Sequence, residues 1–139
     1  MSGSPAWLLD ASVVIKLLTD EPDSPRALTL LRHDLVAPDL MPTECANALW
    51  KKRRLGLLDG AEALMRLEEL RGLPVQLLPT RDLLPGALGR AIRQNHPVYD
   101  CVYLEAAAMT GLTLVTADRR LTAVNDGAAK VILLSDLPA

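Results

Sequence analysis

The sequence predicts an α/β fold with about four or five short parallel strands flanked by helices. Three observations carry this reading. Short apolar runs alternate with helix-length stretches along the chain, no tight hairpin signal joins one run to the next, and every turn signal is brief. Strands spaced by helices pair in parallel through right-handed crossovers. At 139 residues the chain is read as a single domain, 1–139, large enough to bury a core. Residues 1–6 are read as a tail or a cloning remnant.

Each element follows from local signals. Trp7-Leu8-Leu9 reads as a strand entering Asp10, and Ser12 to Leu18 as a helix. Asp23, Ser24 and Pro25 open a second helix that runs to about Arg32, with the proline in the first turn, where its missing N–H costs nothing. Leu35-Val36-Ala37 is a buried strand closed by Pro38, and Asp39 starts a helix reaching Leu55, where Gly56 stops it. Asp59 to Arg71 is helical and ends at Gly72 and Pro74. Val75 to Leu78 is a strand, followed by a helix from Leu83 to Asn95 with Pro85 in its first turn. Val98 to Met109 is almost entirely apolar, which implies a helix buried on most sides. Leu112 to Thr116 is a strand, Arg119 to Val124 a short helix and Lys130 to Leu134 a last strand.

Composition removes several function classes. Half of the residues are hydrophobic and 23% are charged, an ordinary globular balance. Phe is absent and Trp7, Trp50, Tyr99 and Tyr103 are the only aromatics, which weighs against a single-strand reader built on stacking platforms. A formal net charge of -2 excludes a uniformly basic coat while leaving room for a local basic patch. Cys45 and Cys101 belong to no paired motif, and with His33 and His96 they give no zinc spacing, so they read as buried thiols. No apolar run approaches membrane length and no leader pattern opens the chain, so a cytoplasmic protein without membrane attachment is expected.

Four carboxylates break the apolar pattern. Asp10 follows the first strand directly and Asp118 comes two residues after another. Ligands of parallel sheets collect at the carboxyl ends of strands, although an Asp in either place also suits a helix cap. Glu44 shares a helix face with Leu40 and Ala48, and Asp100 sits among Cys101, Val102 and Leu104 with first-turn capping as its structural alternative. Burying such acids unpartnered costs several kcal/mol. Converging acids repel unless a multivalent cation neutralises them, and oxygen-only ligands favour Mg²⁺, with Mn²⁺ as a substitute. Such a site suits phosphodiester hydrolysis. No Walker loop, dinucleotide fingerprint or nucleophile elbow competes with it.

Four segments carry a further likeness: Leu8-Leu9-Asp10-Ala11-Ser12-Val13-Val14, Pro42-Thr43-Glu44-Cys45-Ala46-Asn47-Ala48-Leu49, His96-Pro97-Val98-Tyr99-Asp100-Cys101-Val102-Tyr103-Leu104 and Leu114-Val115-Thr116-Ala117-Asp118-Arg119-Arg120-Leu121. In this order and spacing the chain resembles the PIN-domain ribonucleases, and most closely the VapC-type toxins of toxin–antitoxin systems. The resemblance implies a three-layer sandwich and an Mg²⁺-dependent endoribonuclease. It places the acidic quartet at Asp10, Glu44, Asp100 and Asp118, with Asp10, Asp100 and Asp118 on the metal. It also implies a homodimer and a cognate antitoxin that covers the site. Glu105 departs from the pattern, where a small or apolar residue is expected.

Lys51-Lys52-Arg53-Arg54 suits phosphate contact along RNA, and equally the favourable placing of cations at a helix C-terminus. Arg119 and Arg120 are second candidates and Lys16 a third. Ser12 and Thr116 place hydroxyls beside the acids, for metal-bound water or for capping. Leu17, Leu18, Leu28, Leu30 and Leu31 serve the core or a partner groove. Two other readings stand beside the nuclease. One is a non-cleaving PIN-like module that grips RNA or protein. The other is a haloacid-dehalogenase-type phosphatase, against which Ser12 counts where that family has its second Asp.

Overall fold

The computed structural model describes residues 6–137. Five parallel strands form one sheet: β1 (Ala6–Leu9), β2 (Asp34–Pro38), β3 (Val75–Leu78), β4 (Thr113–Thr116) and β5 (Lys130–Leu133), in the order β3-β2-β1-β4-β5. Register is fixed by pairs such as Leu8 with Val36 and Leu8 with Leu114, which seat β1 between two apolar neighbours. The helices are α1 (Ala11–Leu18), α2 (Ser24–Leu28), α3 (Met41–Arg54), α4 (Gly60–Arg71), α5 (Thr80–Gln94), α6 (Val98–Thr110) and α7 (Arg119–Ala123). Helices α1, α3 and α4 pack together, while α5 packs along α6, which lies on the sheet. Leu8, Leu9, Val13, Val14, Leu104, Leu114 and Val115 are fully buried, so β1, β4 and the helices beside them form the core.

Four expectations shift. Ala6, read as part of the tail, pairs with Asp34 in β1, while residues 1–5 lie outside the described residues. The helix expected over 23–32 is α2 continued by a 3₁₀ turn, Thr29–Arg32. Pro38 is the last residue of β2 instead of its stop. Helix α5 begins at Thr80, with Pro85 inside it. Its first amide is capped from far away in the chain: Thr80 N donates to Asp39 Oδ1 (3.0 Å), and Leu40 N donates back to Thr80 Oγ1 (3.0 Å). A partner that distant gives no local start signal, so the proline looked like the first turn.

Glu105 finds its place here. Arg90 of α5 is one of two buried charged residues among the described ones, the other being Asp10. Its Nε donates to Glu105 Oε1 of α6 (2.9 Å) and its NH1 to Asp126 Oδ1 in the segment before β5 (3.1 Å). The guanidinium therefore joins two helices and a loop. Gly86 makes room for this, because a methyl group built there overlaps the Glu105 carboxylate. Replacing a helical glycine by alanine normally gains about 1 kcal/mol. We expect Gly86→Ala to lose stability instead, and to recover the ordinary gain in a Glu105→Ala background, as read by urea melts of the four proteins.

Candidate active site

The sheet order reverses between β1 and β4, so the crevice at the carboxyl ends of these two strands is where a parallel sheet presents ligand-binding groups. Asp10 leaves β1 there and Asp118 follows β4 by two residues. Asp10 is 6% exposed. Its carboxylate accepts hydrogen bonds from Ser12 Oγ (2.5 Å), Thr116 Oγ1 (2.5 Å) and Val13 N (3.2 Å), the last of which caps α1. Both hydroxyls accept in turn from the loop after β4: Ala117 N donates to Ser12 Oγ (2.9 Å) and Asp118 N to Thr116 Oγ1 (3.0 Å). The capping and site readings of these residues thus coexist. Asp10 caps a helix and, through two hydroxyls, ties down the loop that carries Asp118.

Glu44 lies in the first turn of α3 and accepts a hydrogen bond at Oε1 from the Tyr103 hydroxyl of α6. Asp100, in the first turn of α6, caps nothing and instead meets His96 Nε2 at 2.7 Å. Asp118 caps α7 by accepting from Arg120 N (2.9 Å), and its side chain pairs with the Arg120 guanidinium (3.0 Å).

The charges divide the quartet into two kinds. Burial pushes the Asp10 carboxyl up to about 6 against its three hydrogen bonds, and the Glu44 charge adds to the rise. Burial also raises Glu44, partly offset by the Tyr103 hydroxyl, with the Asp100 charge adding to it. Asp118 lies below its usual value because Arg120 bonds its ionised form. Burial first, then the Glu44 carboxylate, keep the Tyr103 phenol protonated as a donor. Asp10 therefore feels the Glu44 charge and Glu44 that of Asp100, while Asp118 is paired from within the chain.

An oxygen-only donor set in which two acids resist ionisation suits a hard divalent cation in kind. In position the set is open: among the described residues no three His, Cys, Asp or Glu side chains stand close enough to hold one ion. Asp100 is turned onto His96 and Asp118 onto Arg120.

The basic candidates separate. Lys51 lines a cleft with Ser12 and Glu44. Lys52 pairs with Glu21 (3.5 Å), and Arg54 lies over the Trp50 ring, 4.9 Å from its centroid. Arg53 and Arg119 are exposed, and Lys16 is engaged by Glu21 and Asp23. Cys45 and Cys101 are buried free thiols, and burial lifts Cys45 to about 12. Leu18 and Leu30 join the core, whereas Leu28 and Leu31 remain exposed. Sequence reasoning gave no role to Tyr103 or His96. A phenol inside an apolar helix needs a hydrogen-bond partner, which was the available signal for Tyr103.

A model of the PIN domain family matches residues 7–127. Ribonuclease VapC3 of Mycobacterium tuberculosis is 36% identical over 116 residues, covering 82% of this chain and 83% of that protein. Exonuclease VapC9 of Pyrobaculum aerophilum is 38% identical over 101 residues, 72% of this chain and 74% of its own length. A crystal structure from Pyrobaculum aerophilum superposes with a TM-score of 0.71 at 28% identity, over 97% of this chain and 93% of the other. A toxin–antitoxin complex from Klebsiella pneumoniae shares the fold, with a TM-score of 0.64 at 14% identity over 94% of this chain and 99% of the other.

Proposed function

Because the chain belongs to the PIN domain family, matched over residues 7–127, we propose that it is a VapC-type toxin: an endoribonuclease that hydrolyses RNA phosphodiester bonds with Mg²⁺ or Mn²⁺ and is neutralised by an antitoxin. The observation that carries this reading is the buried Asp10 at the sheet's reversal point, close enough to Glu44 for that charge to raise it further. The partner rests on the VapC names of its relatives and on the fold shared with a toxin–antitoxin complex. A homodimer belongs to the same reading.

Asp10, Asp100 and Asp118 would hold the ion, with Asp100 and Asp118 exchanging His96 and Arg120 for it. When bound, the ion supplies positive charge for the phosphate oxygens and lowers the pKa of a water. The chain supplies the rest. Tyr103 occupies Glu44 Oε1, which fixes the carboxylate and leaves Oε2 to orient the attacking water and take its proton. The water oxygen bonds to phosphorus as the bond to the leaving ribose oxygen breaks, and that oxygen takes a proton from solvent. His96 and Arg120, which pair with Asp100 and Asp118, would then be free to bond phosphate oxygens.

The test is the purified protein on total cellular RNA, with Mg²⁺ or Mn²⁺ and with EDTA, followed by mapping of the new 5′ ends. Internal ends that vanish in EDTA are expected, together with growth arrest on expression without antitoxin. Products trimmed only from termini would make the protein an exonuclease. Folded, metal-supplemented protein that leaves RNA intact would make it a non-cleaving binding module. A divalent ion at 100 times its Kd should add about 2.7 kcal/mol to the stability, and Asp10→Asn should remove that gain.

A further inference from the structure

Next to the acids, α1 and α3 frame a cleft of about 500 Å³, within the span of small-molecule sites at about 300–1,000 Å³. Ile15 and Ala48 give it apolar walls, and Tyr99 stands at its edge on the first turn of α6. Along α3, Glu44, Asn47 and Lys51 line it at spacings of three and four residues, one face of a helix. Roughly 10 Å of helix axis separates Glu44 from Lys51. The cleft thus runs from the acidic centre, past an amide, to a cation. Hydrolysis as proposed above uses neither Asn47 nor Tyr99. Both are exposed, Tyr99 at 59%, and among the described residues neither side chain makes a hydrogen bond. Trp50, the other exposed aromatic of this region, is covered by Arg54.

We propose that this cleft receives one nucleobase of the RNA, adjoining the scissile phosphate, and selects which base may stand there. The apolar walls accept the flat faces of the base, the Tyr99 ring stacks on it, and the Asn47 amide reads its edge. Lys51 meets the phosphate beyond. RNA is read in this way, by splayed bases stacked on aromatic rings and bonded at their edges, since the grooves of the A-form duplex deny side chains such access. An amide supplies donor and acceptor together, matching the paired groups on a base edge. A cation at the far end favours a phosphodiester chain over a neutral peptide as the occupant.

This inference rests on the nuclease reading for its orientation, and its test separates the two. Short labelled single-stranded RNAs carrying A, C, G or U at one position are titrated against Asp10→Asn protein by fluorescence anisotropy, and cleavage sites are mapped with otherwise wild-type protein. Loss of a stacked base weakens binding about 5- to 160-fold. We expect Tyr99→Ala to raise Kd and KM by that factor with a smaller change in kcat, and Tyr99→Phe to recover most of the loss because it keeps the ring. Asn47→Ala should level the affinities of the four RNAs and broaden the cleavage sites. Both residues are exposed, so thermal melts should coincide with wild type. Unchanged affinity and unchanged sites in both alanine variants would overturn the proposal and leave the cleft to a protein segment. If wild-type protein cleaves nothing while binding still depends on Tyr99 and Asn47, the cleft stands and the nuclease reading falls.

Discussion

Asp10→Asn is expected to abolish RNA cleavage and, in EDTA above pH 6, to raise the melting temperature. The loss of activity follows from removing the innermost charge of the site. Metal-centred charge stabilisation is worth several kcal/mol, so a fall of about three decades or more is expected at 1.36 kcal/mol per decade. The stability change has the opposite sign for a reason visible in the fold. The Asp10 carboxyl rises from 3.8 to about 6 on folding because it is buried. Well below pH 3.8 both folded and unfolded chains hold the proton. As pH rises from about 4 to 6 the unfolded chain has released it and the folded chain has not, so stability falls, and above 6 the penalty is constant. That penalty is on the order of 1–3 kcal/mol. Asparagine avoids it and still caps α1, but leaves one hydroxyl, of Ser12 or Thr116, without its acceptor, which returns about 1 kcal/mol. Melts at pH 4, 5, 6 and 7.5 should therefore show the variant gaining on wild type across that window. Asp118→Asn should not gain, since Arg120 favours the ionised form there. A variant less stable than wild type at pH 7.5, with cleavage intact, would make Asp10 scaffolding alone.

Arg90→Met should cost about 3–5 kcal/mol, the range for removing one partner of a buried ion pair, and toward its lower end because 31% of the Asp126 side chain is exposed. The cause is less the lost attraction than the Glu105 carboxylate, 18% exposed, left without its cation. Arg90→Met with Glu105→Leu should recover most of the loss, since replacing a buried pair by apolar groups is close to neutral. Urea midpoints of the single and double variants decide it. A single variant within about 0.5 kcal/mol of wild type, the range of ordinary surface substitutions, would show that the guanidinium contributes nothing there.

How far the sequence reached depended on whether a cause was local. The strand at Val75–Leu78 is found as read, because apolar runs bounded by turn signals report on themselves. The start of α5 was missed because its cap, Asp39, lies 41 residues away. Two acids at strand ends could be placed from the apolar runs they follow. Their division into two that resist ionisation and one that is neutralised could not, since that depends on burial, on Tyr103 across the site and on Arg120 beside it. The basic run shows the same boundary. Four consecutive cations look alike in sequence, yet helix geometry turns Lys51 to the cleft, Lys52 to Glu21 and Arg54 onto Trp50. Glu105 looked anomalous because its partner, Arg90, sits on another helix.

The position of β1 in the sheet has a consequence for synthesis. This first strand is the central one, and while β2 pairs with it early, its other edge waits for β4, where Leu8 meets Leu114. The hydroxyl of Thr116 and the amide of Ala117, which complete the setting of Asp10 and Ser12, emerge with that same late segment. Contacts of such long sequence separation form slowly, and domains emerging from the ribosome fold as units. A nascent chain that ends before residue 116 carries Asp10, Glu44 and Asp100 with Ser12, Tyr103 and His96, but lacks the Thr116 hydroxyl that holds Asp10 from the neighbouring strand. The acidic centre is thus among the last parts of the molecule to take shape, and a chain cut short on its messenger is released without it.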